Sequence, residues 1–183
     1  MTLHAPASKP SGPLTLGFLA VLQDQTGWLG GYLVTNGWGR PLEFRLTTAV
    51  QPNRVQSALY GSTLTEYLHA DVIGKTLVEK TGTKPDLIVT DSLPALALRS
   101  RIEIPVIAIV APGTTLAPDA ITFAHARSPG GLLLPARFAV DRDVVAQLLE
   151  RVDSAVDLAE PFARIREAVN EARKMGVTNR AAA

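Results

Sequence analysis

Cysteine is absent from the 183 residues, which excludes disulfide scaffolds, thiolate zinc sites, iron–sulfur clusters and cysteine nucleophiles together. No continuous stretch of about 20 apolar residues is present either, so a membrane-spanning helix is not expected. The uncharged runs 14–23 and 25–39 are broken by Gln, Thr, Asn and glycine. Leu14 to Leu22 follows Lys9 like the apolar part of a secretory signal, but no small-x-small cleavage site comes after it, so a cytoplasmic location is the expectation. An excess of positive charge is also lacking. Lys and Arg total 18 against 17 Asp and Glu, so nucleic acid would need a local patch. The three histidines, His4, His69 and His125, show no metal-ligand spacing, and His69 is expected on a helix surface.

The length suits one compact unit: a disordered leader over 1–13, one α/β domain over 14–176 and a frayed tail over 177–183. Leu14, Leu16, Phe18, Ala20 and Leu22 alternate at period two, and 28–35 and 41–48 supply two further strands. Asn36-Gly37 between the latter is tight-turn chemistry with positive φ, and Gly39 allows a bulge beside it. A three-stranded antiparallel meander is therefore expected.

The period then changes. Pro52 fits a first helical turn, and Val55, Ala58 and Leu59 form a short stripe that Gly61 interrupts. Thr63 and Glu66 have capping-box spacing, and Leu64 to Leu77 continues as one helix bent at Gly74 or as two shorter ones, with Gly82 as a stop. Asp86 to Thr90 and Ile104 to Val110 are near-continuous apolar runs of the kind found in parallel strands covered on both faces, with a small helix over 93–100 between them. Segments 121–126 and 132–138 are further strand candidates around Pro129-Gly130-Gly131, either completing the sheet or forming a flap. Val144, Val145, Leu148 and Leu149, then Leu158, Phe162, Ile165, Val169 and Ala172, recur at helical spacing. The fold class is α/β: a mixed sheet opening with the meander, continuing α-β-α-β, and ending in C-terminal amphipathic helices.

This element order, with the stretch Pro85 to Val110 in which a strand ends in Asp91 and a second strand follows a short helix, resembles the endonuclease V branch of the ribonuclease-H-like superfamily over residues 14 to 110. The resemblance implies a divalent-metal-dependent nuclease, with carboxylates from the first strand, the third-strand or helical region and the fourth strand holding Mg²⁺ or Mn²⁺ at a phosphodiester. Residue by residue, Asp91 matches the later carboxylate. The first strand contains no Asp or Glu before Asp24, which lies past its expected end, and Glu43 has Arg45 two residues away on the same strand face. The alternative for these residues is Asp24 in a turn, Glu43 in an ion pair and Asp91 as a helix cap.

Other features compete with that chemistry. Asp91, Ser92, Thr114 and Thr115 lie at strand ends where open α/β sheets place ligands, which suits a small-molecule or phosphate pocket. Residues 10–39 carry a single acidic charge, Asp24, while Trp28, Tyr32 and Trp38 sit among glycines with Arg40 and Arg45 close by. An aromatic, charge-poor face of that kind is what a protein partner or a second copy buries. From sequence, the expected role is a binding or assembly subunit without catalysis or cofactor, acting through that face. A metal-dependent nuclease, or a degenerate relative of one, is the alternative.

Overall fold

The computed structural model describes residues 12–116 and 119–176. The expected leader, apart from Gly12 and Pro13, lies outside them, as do the expected tail and His4. The alternating N-terminal segment forms β1 (Thr15–Asp24), β2 (Gly27–Asn36) and β3 (Pro41–Leu46), paired antiparallel in sequence order. The expected meander is present, and β1 runs on to include Asp24.

Its second turn differs from the expectation. Neither Asn36 nor Gly37 has positive φ; Gly39 does, at 77°. The loop closes through Gly39 N–H donating to the Asn36 carbonyl at 3.0 Å, while Asn36 Oδ1 accepts from the N–H groups of Trp38 and Arg40, each at 3.0 Å. Asn36 therefore acts through its side chain, as an Asx turn, rather than through a left-handed backbone.

Helix α1 (Arg54–Tyr60) starts two residues after Pro52. Asn53 is its cap, accepting from Gln56 N–H at 2.8 Å while Gln56 Oε1 accepts from Asn53 N–H at 3.0 Å. The expected box at Thr63 and Glu66 does not form, because the Thr63 hydroxyl donates backwards to the Tyr60 carbonyl at 2.7 Å. A short α2 (Leu64–Glu66) leads into a π-helix (Tyr67–Gly74) and then α3 (Lys75–Lys80). Thr81, whose hydroxyl donates to the Leu77 carbonyl at 2.6 Å, ends α3 before Gly82 is reached.

Strand β4 (Leu87–Thr90) pairs parallel to β1, and β5 (Val106–Ile109) pairs parallel to β4, with a 3₁₀ helix over Leu93–Ser100 between β4 and β5. Beyond them β6 (Ala120–His125) and β7 (Ser128–Pro135) form a hairpin that pairs onto β5. Residues 121–138 thus complete the sheet, and the turn falls at Ala126-Arg127, leaving Pro129, Gly130 and Gly131 inside β7. The seven strands lie in the order β3-β2-β1-β4-β5-β7-β6.

Alternation along β1 and β4 divides the core into two faces. Leu16, Phe18, Ala20, Leu87 and Val89 pack under the C-terminal helices α4 (Asp141–Glu150) and α5 (Glu160–Lys174), where Phe162 meets Phe18 edge-on at 5.8 Å. Leu19, Tyr32, Ile88 and Val34 pack under the π-helix, α3 and the 3₁₀ helix. Gly30 and Gly31 bring both layers close. A Cβ on Gly30 would lie 2.2 Å from Ile73 Cγ2, and one on Gly31 would lie 2.4 Å from Ile165 Cγ2 on the other side. These adjacent glycines thin the sheet from opposite faces, and the approach at Gly31 seats α5 against β1 and β2.

Candidate nucleic-acid site at the carboxyl edge

The parallel strands β1, β4 and β5 end on one edge, where an α/β sheet offers polar groups between its covering helices. Leu19 pairs with Thr90, so one step further on Ala20 stands opposite Asp91. Asp91 shares the parity of Leu87 and Val89 and points toward α5, where it takes an ion pair from Arg166. Ser92 has the opposite parity. Its hydroxyl lies 2.7 Å from Nδ1 of His69, which the π-helix buries to 5% exposure. Asp91 and Ser92, expected in one pocket, therefore face opposite sides of the sheet. Asp91 does not cap the 3₁₀ helix either, since Ser92 occupies that position. Thr114 folds back on its own turn, its hydroxyl donating to the Ala111 carbonyl at 2.7 Å, and Thr115 follows it in an exposed loop.

His69 is not on the helix surface as expected. Trp28 packs edge-on against it at 4.7 Å, and its Nε2 has no hydrogen-bond partner among the described residues. Burial lowers its pKa from 6.5 to about 4, so the imidazole is neutral at physiological pH. On the same face the Thr90 hydroxyl donates to the Leu19 carbonyl at 2.8 Å and accepts from Ser92 N–H at 3.1 Å, which fixes the strand end.

The three candidate carboxylates do not converge. Asp24 lies four residues beyond the position opposite Asp91, roughly 13 Å along the strand. Its Oδ1 accepts from the N–H and the hydroxyl of Thr26, both at 2.6 Å, and Arg173 of α5 pairs with its other oxygen. The Thr26 hydroxyl and the Arg173 guanidinium hold the Asp24 pKa down at about 2. Glu43 pairs with Arg45 at 2.8 Å and accepts from Thr83 N–H at 2.9 Å and Gly82 N–H at 3.1 Å; those two backbone bonds lower its pKa to about 2. It sits level with Val34, Gly17 and Ile88 at the other end of the sheet, three strand spacings from β4 or roughly 14 Å sideways. It also shares the face of Val34, opposite to that of Asp91.

The residues present do not fit a divalent metal. Oxygen ligands must meet one ion at about 2.0–2.6 Å, and among the described residues no group of three or more His, Asp or Glu is placed to hold one. The position opposite Asp91 is an alanine, and the charge on Asp91 is answered by Arg166. The arginines of α5 were not identified from sequence. Their seven-residue spacing on one amphipathic helix was visible there, but their partners were not.

Comparisons with known proteins bear on the fold. No family model matches the chain, and no curated protein matches its sequence. Among solved structures it is similar to the endonuclease V of Streptomyces avermitilis, with 14% identity, 92% of this chain and 85% of that one covered, and a TM-score of 0.58. It is also similar to the endonuclease V of Bacillus subtilis, with 12% identity, 90% and 83% covered, and a TM-score of 0.53. The chain has the fold of endonuclease V. The α/β class with a mixed sheet and flanking helices, expected from element order, is thereby established.

The expectation of a non-catalytic assembly subunit is corrected by the same finding, because the structural neighbours are endonucleases. The aromatic face on which that expectation rested is also broken up. Tyr32 is wholly buried against Gly17, Trp28 packs on His69, and Arg45 is tied to Glu43. Trp38, 70% exposed, Arg40 and Arg45 remain outside. No helix among the described residues is long and apolar enough to cross a membrane.

Proposed function

We propose that this chain is a degenerate relative of the ribonuclease-H-like nucleases, binding nucleic acid at the carboxyl edge of β1 and β4 without metal-dependent hydrolysis. One observation carries the reading: Asp91 stands at the expected strand end, with Ala20 opposite it and Arg166 in its ion pair. The fold likeness to endonuclease V supports nucleic acid as the ligand. Removal of the carboxylate cluster takes away the means of holding Mg²⁺ or Mn²⁺ while leaving the scaffold and its edge intact.

The test incubates labelled single- and double-stranded DNA and RNA with the purified protein, with Mn²⁺ or with EDTA, and follows both retention and cleavage. Retention in EDTA with intact oligonucleotide in Mn²⁺, together with no heat of Mn²⁺ binding in calorimetry, is the expected result. Cleavage that appears with Mn²⁺ and vanishes in Asp91→Asn would make the chain an active metal nuclease. Absence of retention on every substrate would remove nucleic acid from the reading altogether.

A further inference from the structure

The mismatch between the fold's metal and this chain's residues has a pattern. Two carboxylates face α5 at the carboxyl edge, Asp91 and Asp24, and each is met by an arginine of that helix, Arg166 and Arg173 respectively. The two arginines are seven residues apart, which returns them to nearly the same side of the helix about 10 Å apart along its axis. A strand lying along the helix can therefore present one phosphate to each guanidinium.

Neither guanidinium is used up by its carboxylate. The Arg166 side chain is 47% exposed, and its bond to Asp91 engages one nitrogen among the described residues. Arg173 spends Nη1 on Asp24 and Nη2 on the Thr26 hydroxyl, at 2.9 Å for the latter. A guanidinium carries five donors in a planar fork that matches phosphate oxygens, so donors are left over in both cases. The carboxylates hold both side chains at the strand ends, which lowers the rotamer entropy a ligand would otherwise have to remove.

We propose that Arg166 and Arg173 are resident cations in place of the fold's divalent metal, contacting two phosphates of a nucleic-acid strand that lies along the carboxyl edge beside α5. The proposal rests on the nucleic-acid reading above and adds its contact residues and their independence of metal. Chelators cannot remove a guanidinium, so the contact persists in EDTA and weakens with salt as phosphate counterions are released.

The experiment measures fluorescence anisotropy of a labelled single-stranded DNA in EDTA across a salt series, for the wild type, Arg166→Gln, Arg173→Gln, Arg166→Lys and Asp91→Asn, each first checked for folding by its thermal melt. Each Gln variant is expected to bind several-fold more weakly and to reduce the slope of log K against log salt by about 0.7, the value of one single-strand phosphate contact. Arg166→Lys keeps the charge and so keeps the slope. Asp91→Asn frees Arg166 from a competing anion and should tighten binding about two- to fivefold at low salt.

Wild-type binding with slopes unchanged in both Gln variants would overturn the arginine assignment while leaving the nucleic-acid reading in place. Failure of the wild type to bind at all would overturn both. If a Gln variant does not fold, Arg166→Lys and Asp91→Asn still decide, since a lost slope in the first or unchanged or weaker binding in the second contradicts the assignment.

Discussion

Acidification from pH 7 to pH 5 should destabilise this protein through one residue, His69. Its imidazole is 5% exposed, its Nδ1 lies 2.7 Å from the Ser92 hydroxyl and its Nε2 meets no acceptor among the described residues. A proton added to it would be desolvated and unpaired, which is why burial depresses its pKa from 6.5 to about 4. Between those values the unfolded chain binds a proton that the folded chain does not, so stability falls as pH drops through the window. The loss starts near 6.5 and is complete below about 4. The full shift corresponds to about 3 kcal/mol, of which about 2 kcal/mol is lost between pH 7 and pH 5. With a urea dependence of about 2 kcal/mol per molar, the unfolding midpoint should move down by about 1 M.

The assay is urea unfolding at pH 7, 6 and 5 for the wild type and for His69→Gln, which cannot titrate. The variant will be less stable at pH 7, having lost the Ser92 contact, and its midpoint should be nearly flat across this range. Asp24 and Glu43 do not confuse the measurement. Their pKa values fall from 3.8 and 4.5 to about 2, so the stability they contribute is present above those ordinary values and is lost only as pH falls toward 2. A wild-type midpoint that does not move between pH 7 and 5, or an equal loss in His69→Gln, would refute the argument that a buried neutral imidazole sits at this edge.

Four further variants test how the fold is supported. Asp141→Ala strands Arg99, which now holds both Asp141 oxygens at 2.6 and 3.2 Å with little exposure, and should cost about 3 to 5 kcal/mol in chemical unfolding. The joint replacement Arg99→Met with Asp141→Leu should recover most of that loss, because no buried charge is left alone. Gly31→Ala drives a methyl into Ile165 and within 3.2 Å of Val169, and should lower stability by about 1 to 3 kcal/mol while raising hydrogen exchange in α5. Asn53→Ala removes a capping box worth about 1 kcal/mol to α1, a helix with no buried residue. Its effect should therefore appear as faster amide exchange over 54–60, with the global melting temperature nearly unchanged.

Much of the scaffold was legible because its signals are local. Period-two alternation marks β1 to β3, short apolar runs mark β4 and β5, and a one-sided apolar stripe marks α4 and α5. Where local chemistry allowed two outcomes, a neighbouring group decided. Asn53 rather than Thr63 forms a capping box because Gln56 answers it, and Asn36 turns the chain through its side chain rather than its backbone. The hairpin β6–β7 could be read as strands but not assigned an edge, since pairing with β5 joins residues that no local pattern links. The site was the least legible part. Asp91 and Arg166 are 75 residues apart and His69 and Ser92 are 23 apart, and each pair meets only after the sheet is assembled.

One part of the site was nevertheless encoded in strand parity. Leu87, Val89 and Asp91 alternate with Ile88, Thr90 and Ser92, so a strand buried on both faces must send Asp91 and Ser92 to opposite helix layers. Asp91 then emerges beside the apolar residues packed under α5, where its carboxylate is only partly exposed to water. A metal shared with a second carboxylate from β1 would be one remedy, and Ala20 at the facing position removes it. Arg166 supplies the other, reaching Asp91 from a helix that Gly31 allows to sit close to the sheet. The alanine and the arginine thus explain each other: with no carboxylate to share a divalent ion, the charge of Asp91 is answered by a cation that is part of the chain.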